Sequence, residues 1–191
     1  MKIGIHQPNF FPWGGYFEKI KQCDKFIFLV NCPFSKGSYT NRFNIEERWY
    51  TMTLEKKPIG TFIKDMIYKC PEENLNTIKN RLEGKRDLLN CFDGCFTTSL
   101  METNINIIKK ICEIQKIKTE FLYDYETNKT STERLIDIIK KNEGTSYISG
   151  KGGDKYMDMN LFKKSNIELK YSVIDKKYKR PILDILNISD V

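Results

Sequence analysis

The sequence predicts an α/β protein, a three-layer sandwich built on a parallel or mixed sheet with an antiparallel middle segment. Strand and helix patterns alternate near both ends of the chain, over residues 2–30 and again over residues 121–174. Between them, residues 38–69 alternate aromatic or β-branched side chains with polar ones. The first pattern favours parallel strands joined by helices, and the second favours two or three antiparallel strands.

The N-terminal part is predicted to form a strand, a helix and a second strand. Ile3 and Ile5 mark a short strand over residues 2–6, which leads into a proline where helix is disfavoured. The unbroken apolar run at residues 26–30 is typical of a strand buried on both faces. Between these strands, helical spacing is shown by Tyr16, Phe17, Ile20 and Cys23.

The same periodicities predict the remaining elements. Helices are expected at residues 73–82, 100–117 and 133–142, and strands at residues 121–123, 147–149 and 167–174. A capping box at Thr130–Glu133 would begin the third of these helices, and Asp154 would cap a further helix that ends at Lys164. The strands predicted to be parallel neighbours lie near residues 2–6, 25–30 and 146–149.

Length and composition favour a single domain, residues 1–191. Hydrophobic residues make up 40% of the sequence and charged residues 30%, which excludes disordered and collagen-like chains. Since no apolar run is long enough to span a bilayer and no export signal is apparent, we expect a cytoplasmic protein. The net charge of +7 is spread along the chain, which argues against DNA and at most for a phosphate-bearing ligand.

We expect reduced cysteines, no metal and no cofactor. The chain has six cysteines, but a reducing compartment would keep them as thiols. Cys91 and Cys95 are spaced like a ligand pair, yet a structural zinc requires four ligands and the chain has one histidine, far away at His6.

The segment from Ile5 to Tyr16 is the first candidate site. It follows the first predicted strand, and ligands of open α/β sheets bind beyond the carboxyl ends of strands. His6 suits a general base because its unperturbed pKa lies near neutrality, while Gly14 and Gly15 would let a helix N-terminus approach an anion. Alternatively, His6 packs in the core. The binding residues expected here are Gln7, Asn9, Trp13 and Tyr16.

Residues 35–44, after the second predicted strand, are the second candidate. Lys36 and Arg42 could hold a diphosphate, since an arginine binds phosphate through a planar bidentate fork. Asn41 and Asn44 could bind a sugar or the edge of a base. The alternative is a solvated hairpin whose charges face water.

Ser149-Gly150-Lys151-Gly152-Gly153, between a strand and a helix, is the third candidate. Glycines at such a place let backbone N–H groups surround an anion. The spacing matches neither the Walker pattern nor G-x-G-x-x-G, so this cluster gains weight only together with the other two. Tyr156 and Asp158, just beyond it, are further catalytic candidates.

Two long, ordered patterns together extend over nearly the whole chain. The first comprises Ile5-His-Gln-Pro-Asn-Phe-Phe-Pro-Trp13, Gly15-Tyr-Phe-Glu-Lys-Ile20, Lys36-Gly37, Asn41-Arg42 and Ile45. The second comprises Thr132-Glu-Arg-Leu-Ile136, Tyr147-Ile-Ser-Gly150, Gly153, Tyr156-Met-Asp158, Phe162 and Ile182-Leu-Asp-Ile-Leu186-Asn187. The chain therefore resembles the WbqC-like protein family.

This resemblance implies a bacterial enzyme of surface-glycan synthesis, for O-antigen, lipopolysaccharide or capsule. It implies a transferase that moves a small acyl or aminoacyl group onto an amino sugar carried by a nucleotide. Two departures from the family pattern stand out. Leu29-Val-Asn31-Cys32 occupies the place of an expected acidic pair, and Gly14 replaces a bulky aliphatic residue, which would widen the pocket.

Three functions remain open at this point. The first is the transferase, with His6 activating an amine or polarising an acyl group, and with Arg42 and the Gly150–Gly153 loop holding phosphate. The second is a nucleotidyltransferase-like enzyme of Rossmann-like fold, although the second histidine usual in such sites is absent. The third is a non-catalytic protein that binds sugar nucleotides. The donor, the sugar and the oligomeric state do not follow from the sequence.

Overall fold

The computed structural model describes residues 1–187 and 189, with the backbone alone for residues 154–156. In chain order, its strands and helices are β1 (Lys2–His6), α1 (Gly14–Lys21), β2 (Lys25–Phe28), β3 (Arg42–Ile45), β4 (Arg48–Thr51), α2 (Pro71–Arg81), α3 (Arg86–Asn90), α4 (Leu100–Ile114), β5 (Glu120–Tyr123), α5 (Ser131–Lys141), β6 (Ser146–Ser149), α6 (Met159–Lys164), β7 (Glu168–Tyr171) and α7 (Ile182–Ile185). Short 3₁₀ helices lie at Ile63–Asp65, Glu83–Lys85, Asp93–Cys95, Lys151–Tyr156 and Lys176–Tyr178.

A five-stranded sheet in the order β5-β2-β1-β6-β7 forms the centre of the molecule. Every pair of neighbouring strands in it is parallel. The prediction that β1, β2 and β6 are parallel neighbours is therefore confirmed. The chain first builds outward from β1 through β2 to β5, then returns to the other side of β1 with β6 and β7. The direction of winding reverses between β1 and β6, and this is where doubly wound sheets bind ligands.

Hydrophobic side chains cover both faces of this sheet, so the predicted three-layer sandwich is confirmed. On one face, α1 and α4 pack through Phe17, Ile20, Ile108 and Ile111. On the other face, α5 and α6 pack through Ile138, Ile139 and Phe162. Within β1, Ile3 and Ile5 belong to the second core, whereas Gly4 faces α1. A Cβ added at Gly4 would lie 2.5 Å from Cys23 Sγ, so this glycine permits the segment just after α1 to approach the sheet closely.

The antiparallel middle segment is one hairpin. β3 pairs with β4 from Arg42↔Thr51 to Ile45↔Arg48, and Glu46 and Glu47 between them have φ values of 50° and 62°. Positive φ at both central residues is the conformation of a type I′ turn. Across residues 38–69, all of which the structure describes, the rest of the segment contributes isolated bridges such as Leu54↔Tyr68. Of the two or three strands predicted there, two are present.

The second strand is shorter than predicted, because it leaves the sheet after Phe28. The backbone N–H groups of Val30 and Asn31 donate to the carboxylate of Asp124, at 2.8 and 3.0 Å, instead of to a neighbouring strand. The last strand is also shorter than predicted, and α4 ends at Ile114 rather than at residue 117. The short helices α3 and α7 were not predicted.

The predicted capping box at Thr130–Glu133 is not formed. Thr130 is the N-cap of α5 but its side chain makes no capping hydrogen bond, and the helix begins at Ser131 rather than at Glu133. Thr132 accepts a 2.9 Å hydrogen bond from the backbone N–H of Asp158 instead. The start of α5 is therefore tied to the start of α6.

The predicted helix from Asp154 to Lys164 is also corrected. A 3₁₀ helix covers Lys151–Tyr156, the chain becomes extended at Met157 and Asp158, and α6 begins separately at Met159. Asp158 is its N-cap, since its carboxylate accepts from the N–H groups of Asn160 and Leu161. The predicted cap, Asp154, has a side chain outside the described part of the chain.

Candidate functional site

A crevice opens where β1 and β6 separate. Pairing between these strands ends at Gly4↔Ile148, whereas pairing of β1 with β2 continues to His6↔Phe28. A cavity of about 910 Å³ lies at this point and is bounded by α1, the loop after β6 and the segment after β7. The predicted site residues that line it are His6, Trp13, Tyr16, Ser149, Gly150, Lys151, Gly152 and Gly153. The first and third candidate clusters therefore face one cavity.

His6, at the end of β1, presents a neutral imidazole to this cavity. Its Nδ1 lies 3.0 Å from the carbonyl oxygen of Gln7. Because a carbonyl can only accept, this contact assigns the proton to Nδ1 and leaves the lone pair on Nε2. Burial, and next the positive charge of Lys19, lower the pKa of His6 to about 4, although the Gln7 hydrogen bond opposes them. At neutral pH the imidazole is available as a base.

The ring of Tyr16 packs against the imidazole of His6. The two rings meet edge to face with their centroids 5.1 Å apart, and the Tyr16 hydroxyl donates to the same Gln7 carbonyl at 2.9 Å. Burial raises the pKa of Tyr16 well above its usual value, so the phenol remains protonated. One backbone carbonyl thus positions both polar side chains, which limits how the imidazole can turn.

Lys19 is a cavity residue that the sequence analysis missed. It extends from α1 and is only 6% exposed, and its Nζ donates to the carbonyl oxygen of Ile5 at 2.8 Å. Burial lowers the pKa of Lys19 to about 8. A signal for it exists in the sequence: Lys19 lies three residues after Tyr16 and four before Cys23, so it shares the apolar face of the helix.

The Gly150–Gly153 loop forms part of the wall of the cavity. The backbone N–H of Gly153 donates to the Gly150 carbonyl at 3.0 Å as the 3₁₀ helix begins. A Cβ at Gly153 would lie 2.9 Å from Ser149 Oγ, whereas Cβ atoms at Gly150 and Gly152 would meet open space. Because α6 starts beyond Asp158, its N-terminus does not lie in this loop.

The charge of the cavity is positive. Lys19, Lys151 and Lys179 line it, and the described side chains of the lining include no carboxylate. Trp13, Val173 and Ile174 add apolar surface at the mouth, and the exposed fractions of Trp13 and Val173 are 44% and 77%. An anionic ligand with a partly apolar body fits this lining.

The second candidate cluster does not line the cavity. Asn41 is buried and donates to the carbonyl oxygen of Met52, while the guanidinium of Arg42 lies 4.3 Å from the centre of the Trp49 ring. Lys36 and Asn44 also lie outside the lining. The hairpin packs against the Phe10 and Phe11 rings through Phe43 instead of returning to the sheet edge. Arg42 and the Gly150–Gly153 loop therefore do not line one cavity, contrary to the expectation from the sequence.

Several other predicted residues also lie outside the cavity. The Gln7 side chain donates to Cys32 Sγ at 3.3 Å, and Asn9 is buried. Asp158 lies in a smaller groove of about 300 Å³ at the start of α5, where it caps α6. The side chain of Tyr156 falls outside the described residues.

Both departures noted in the sequence have structural counterparts. At the end of β2, where an acidic pair was expected, the carboxylate comes from Asp124 on the segment after β5, which accepts from Asn31 and forms an ion pair with Arg134. Gly14 does not widen the cavity. A Cβ there would lie 2.6 Å from the Tyr178 carbonyl oxygen, so this glycine lets the C-terminal segment close against α1.

All six cysteines are free thiols. Within the described part of the chain, no group of three or more histidine, cysteine, aspartate or glutamate side chains is arranged to hold a metal ion. No helix among the described residues is both long and apolar enough to cross a membrane.

The strand order and the crevice define a doubly wound α/β protein with a cavity at its switch point. The chain belongs to the WbqC-like protein family, whose model matches residues 7–182, so the predicted family is confirmed. It is also similar to a protein of Mycobacterium tuberculosis (strain ATCC 25618 / H37Rv) named "Uncharacterized protein Rv1507c", with 26% identity over 214 residues. That alignment covers 98% of this chain and 92% of the relative. No solved structure matches the chain significantly.

Proposed function

We propose that the protein is a transferase that moves a small acyl or aminoacyl group onto the amine of a nucleotide-linked amino sugar. The observation that carries the proposal is the neutral imidazole of His6 in a cavity lined by three lysines. Two of them, Lys151 and Lys179, suit the diphosphate of a nucleotide sugar, and the imidazole suits the removal of a proton from an attacking amine.

The phosphate would bind at the rim of the cavity. Lys151 and Lys179 both line the cavity, and Gly150 and Gly152 have open space where a side chain would otherwise obstruct an anion. Trp13 and Val173 at the mouth offer apolar surface to the sugar or to the base. The amine would then point inward to His6.

The chemical step is acyl transfer. The sugar amine attacks the acyl carbon of the donor and a new C–N bond forms, while its proton passes to His6 Nε2 and the bond to the leaving group breaks. The imidazolium returns this proton to the leaving group, so His6 ends the cycle neutral. A bound phosphate would raise the pKa of His6, which makes the imidazole a stronger base when the ligand is present.

The experiment is incubation of the purified protein with a panel of nucleotide-linked amino sugars and acyl or aminoacyl donors, followed by mass spectrometry of the sugar nucleotide. We expect the mass of one acyl or aminoacyl group to be added. The His6→Asn variant, in the same mixture, should give little product. Binding of a nucleotide sugar with no mass change across the panel would favour a non-catalytic sugar-nucleotide-binding protein.

Nucleotidyl transfer is the second candidate because β1 and β6 flank the crevice at the switch point of a Rossmann-like sheet, with His6 at the end of β1. This argument is by analogy of fold alone. Addition of a nucleoside triphosphate and a sugar phosphate to the same panel separates the two reactions, since a nucleotidyltransferase would join the nucleotide to the sugar phosphate and release diphosphate.

In either case we propose a cytoplasmic role in the synthesis of bacterial O-antigen, lipopolysaccharide or capsule. A nucleotide-linked sugar is the expected partner.

A further inference from the structure

Lys19 is a buried cation that none of the steps above uses. Its Nζ lies at the floor of the cavity, where β1 and β6 separate, and donates to the Ile5 carbonyl at 2.8 Å. The centres of the Phe26 and Tyr147 rings lie 5.9 and 5.7 Å away. An ammonium has three N–H donors, and the bond to Ile5 uses one of them.

The charge of Lys19 has no counter-ion among the residues that the structure describes. None of the ion pairs formed among the described residues includes it. The titratable groups that act on it are His6 from β1 and Cys23, which lies two residues beyond α1, and the ring of Tyr147 of β6 lies near it. Burial raises the pKa of Cys23 to about 12 and that of Tyr147 to about 12, so both are neutral in the physiological range.

The charged side chains at the rim add to the excess of positive charge in the cavity. Lys151 and Lys179 are the charged side chains in the remaining described lining, and both are positive. An ammonium that is removed from water without a carboxylate is costly to the fold. A negatively charged group bound beside Lys19 would therefore balance the charge of its ammonium.

We propose that Lys19 Nζ is the receptor for a phosphate group of the ligand, and that binding of this anion makes the protein take up a proton. The inference rests on the proposed function only in that the ligand carries phosphate. The Gly150–Gly153 loop, which includes Lys151, then binds the ligand at the rim. Lys19 binds one phosphate group deeper in the cavity, beside His6.

The proton is taken up by the amine of Lys19. Since the pKa of Lys19 is about 8, about half of the molecules carry a neutral amine at pH 8. An anion beside the amine favours its charged form, so binding at pH 8 should take up about half a proton per site. His6 stays neutral at this pH and does not contribute to the count.

The test is isothermal titration calorimetry at pH 8 in two buffers that differ in ionisation enthalpy. The probes are inorganic sulfate, which does not titrate in this range, and UDP-N-acetylglucosamine. The difference in binding enthalpy between the buffers counts the protons. We expect uptake of about half a proton with both probes.

Three variants make the test specific. Lys19→Met should weaken sulfate binding at least tenfold and abolish the uptake, and its apolar side chain should preserve the fold. Lys19→Arg keeps the charge but does not titrate near pH 8, so it should bind sulfate without proton uptake. The control is Lys21→Met, in the same helix but exposed, which should match the wild type in both respects.

The outcomes separate this inference from the proposed function. Sulfate binding with Lys19-dependent proton uptake supports the receptor even if no nucleotide sugar binds, in which case the proposed function fails alone. Nucleotide-sugar binding that neither takes up protons nor responds to Lys19→Met overturns the receptor and leaves the proposed function standing. Absence of sulfate binding to the wild type also overturns it.

Discussion

Lys19 Nζ and the carbonyl oxygen of Ile5 are joined by a 2.8 Å hydrogen bond at the point where β1 and β6 stop pairing. The parallel ladder ends at Gly4↔Ile148, so the backbone of Ile5 faces the crevice rather than β6. A Cβ at Gly4 would lie 2.5 Å from Cys23 Sγ, so this glycine lets the segment just after α1 lie close to the sheet. The same contact brings a positive charge near His6, which helps to keep the imidazole neutral.

We predict that His6→Asn folds normally and loses activity. Asparagine keeps a polar group of similar reach but cannot accept a proton at neutral pH. Its melting temperature at pH 7 should be close to that of the wild type, and turnover should fall about 100- to 10,000-fold, as for the loss of a general base. Tyr123→Asn, at the carboxyl end of the edge strand and outside the cavity, is the control and should keep its activity. A variant that melts much earlier while its folded fraction works normally would make His6 structural.

Acid should destabilise the wild type through His6. The pKa of His6 is about 4 in the folded protein and 6.5 when unperturbed, so between these values the unfolded chain binds the extra proton. Stability due to this group is therefore lost as the pH falls from 6.5 to 4, by about 3 kcal/mol in total. At pH 4.5, His6→Asn should be more stable than the wild type by about 2 kcal/mol. Urea unfolding at pH 7 and pH 4.5 measures this, and parallel losses in both proteins would refute it.

Lys19→Met should stabilise the protein at pH 7. The folded-state pKa of Lys19 is about 8 against 10.5 when unperturbed, so burying the charged form opposes folding below pH 8 and this opposition disappears above pH 10.5. After allowance for the lost hydrogen bond to Ile5, the variant should gain about 2 kcal/mol at pH 7. The advantage should vanish near pH 10. Guanidinium unfolding at both pH values decides, because a variant less stable at pH 7 would mean that the lysine supports the fold.

Arg134→Met should be strongly destabilising. Asp124 has a fully buried carboxylate that pairs with Arg134 and accepts the Val30 and Asn31 amides where β2 ends. Removal of one partner of a buried pair leaves an uncompensated charge and costs about 3–5 kcal/mol. Lys25→Met breaks the more exposed pair with Glu120, 3.9 Å apart, and should cost less than about 1 kcal/mol. Equal losses in the two variants, measured by thermal unfolding, would contradict this account.

The central sheet could be predicted from sequence because its strands are short apolar runs between turn residues, and such patterns are local. The place of His6 beside the Gly150–Gly153 loop followed as well, since carboxyl ends of parallel strands meet at one edge. These inferences needed no knowledge of distant contacts.

Residues whose roles depend on tertiary contacts were not predicted. Lys19 was passed over because lysines on helices are usually solvated, and only its packing beneath the crevice buries it. Asp154 and Asp158 are both suitable N-caps by residue type. The structure has Asp158 as the N-cap of α6, and its backbone N–H donates to Thr132. Arg42 follows a strand in sequence, yet its hairpin packs on Phe10 and Phe11 and stays outside the cavity.

The central claim is that the crevice between β1 and β6 binds a nucleotide-linked sugar beside His6. His6 is the single histidine of the chain, so its imidazole protons give one assignable set of NMR signals. Titration of UDP-N-acetylglucosamine into the protein should shift these signals and move the His6 titration midpoint upward from about 4, because a bound diphosphate favours the imidazolium. Saturable binding of the nucleotide sugar with unchanged His6 signals and midpoint would contradict the claim.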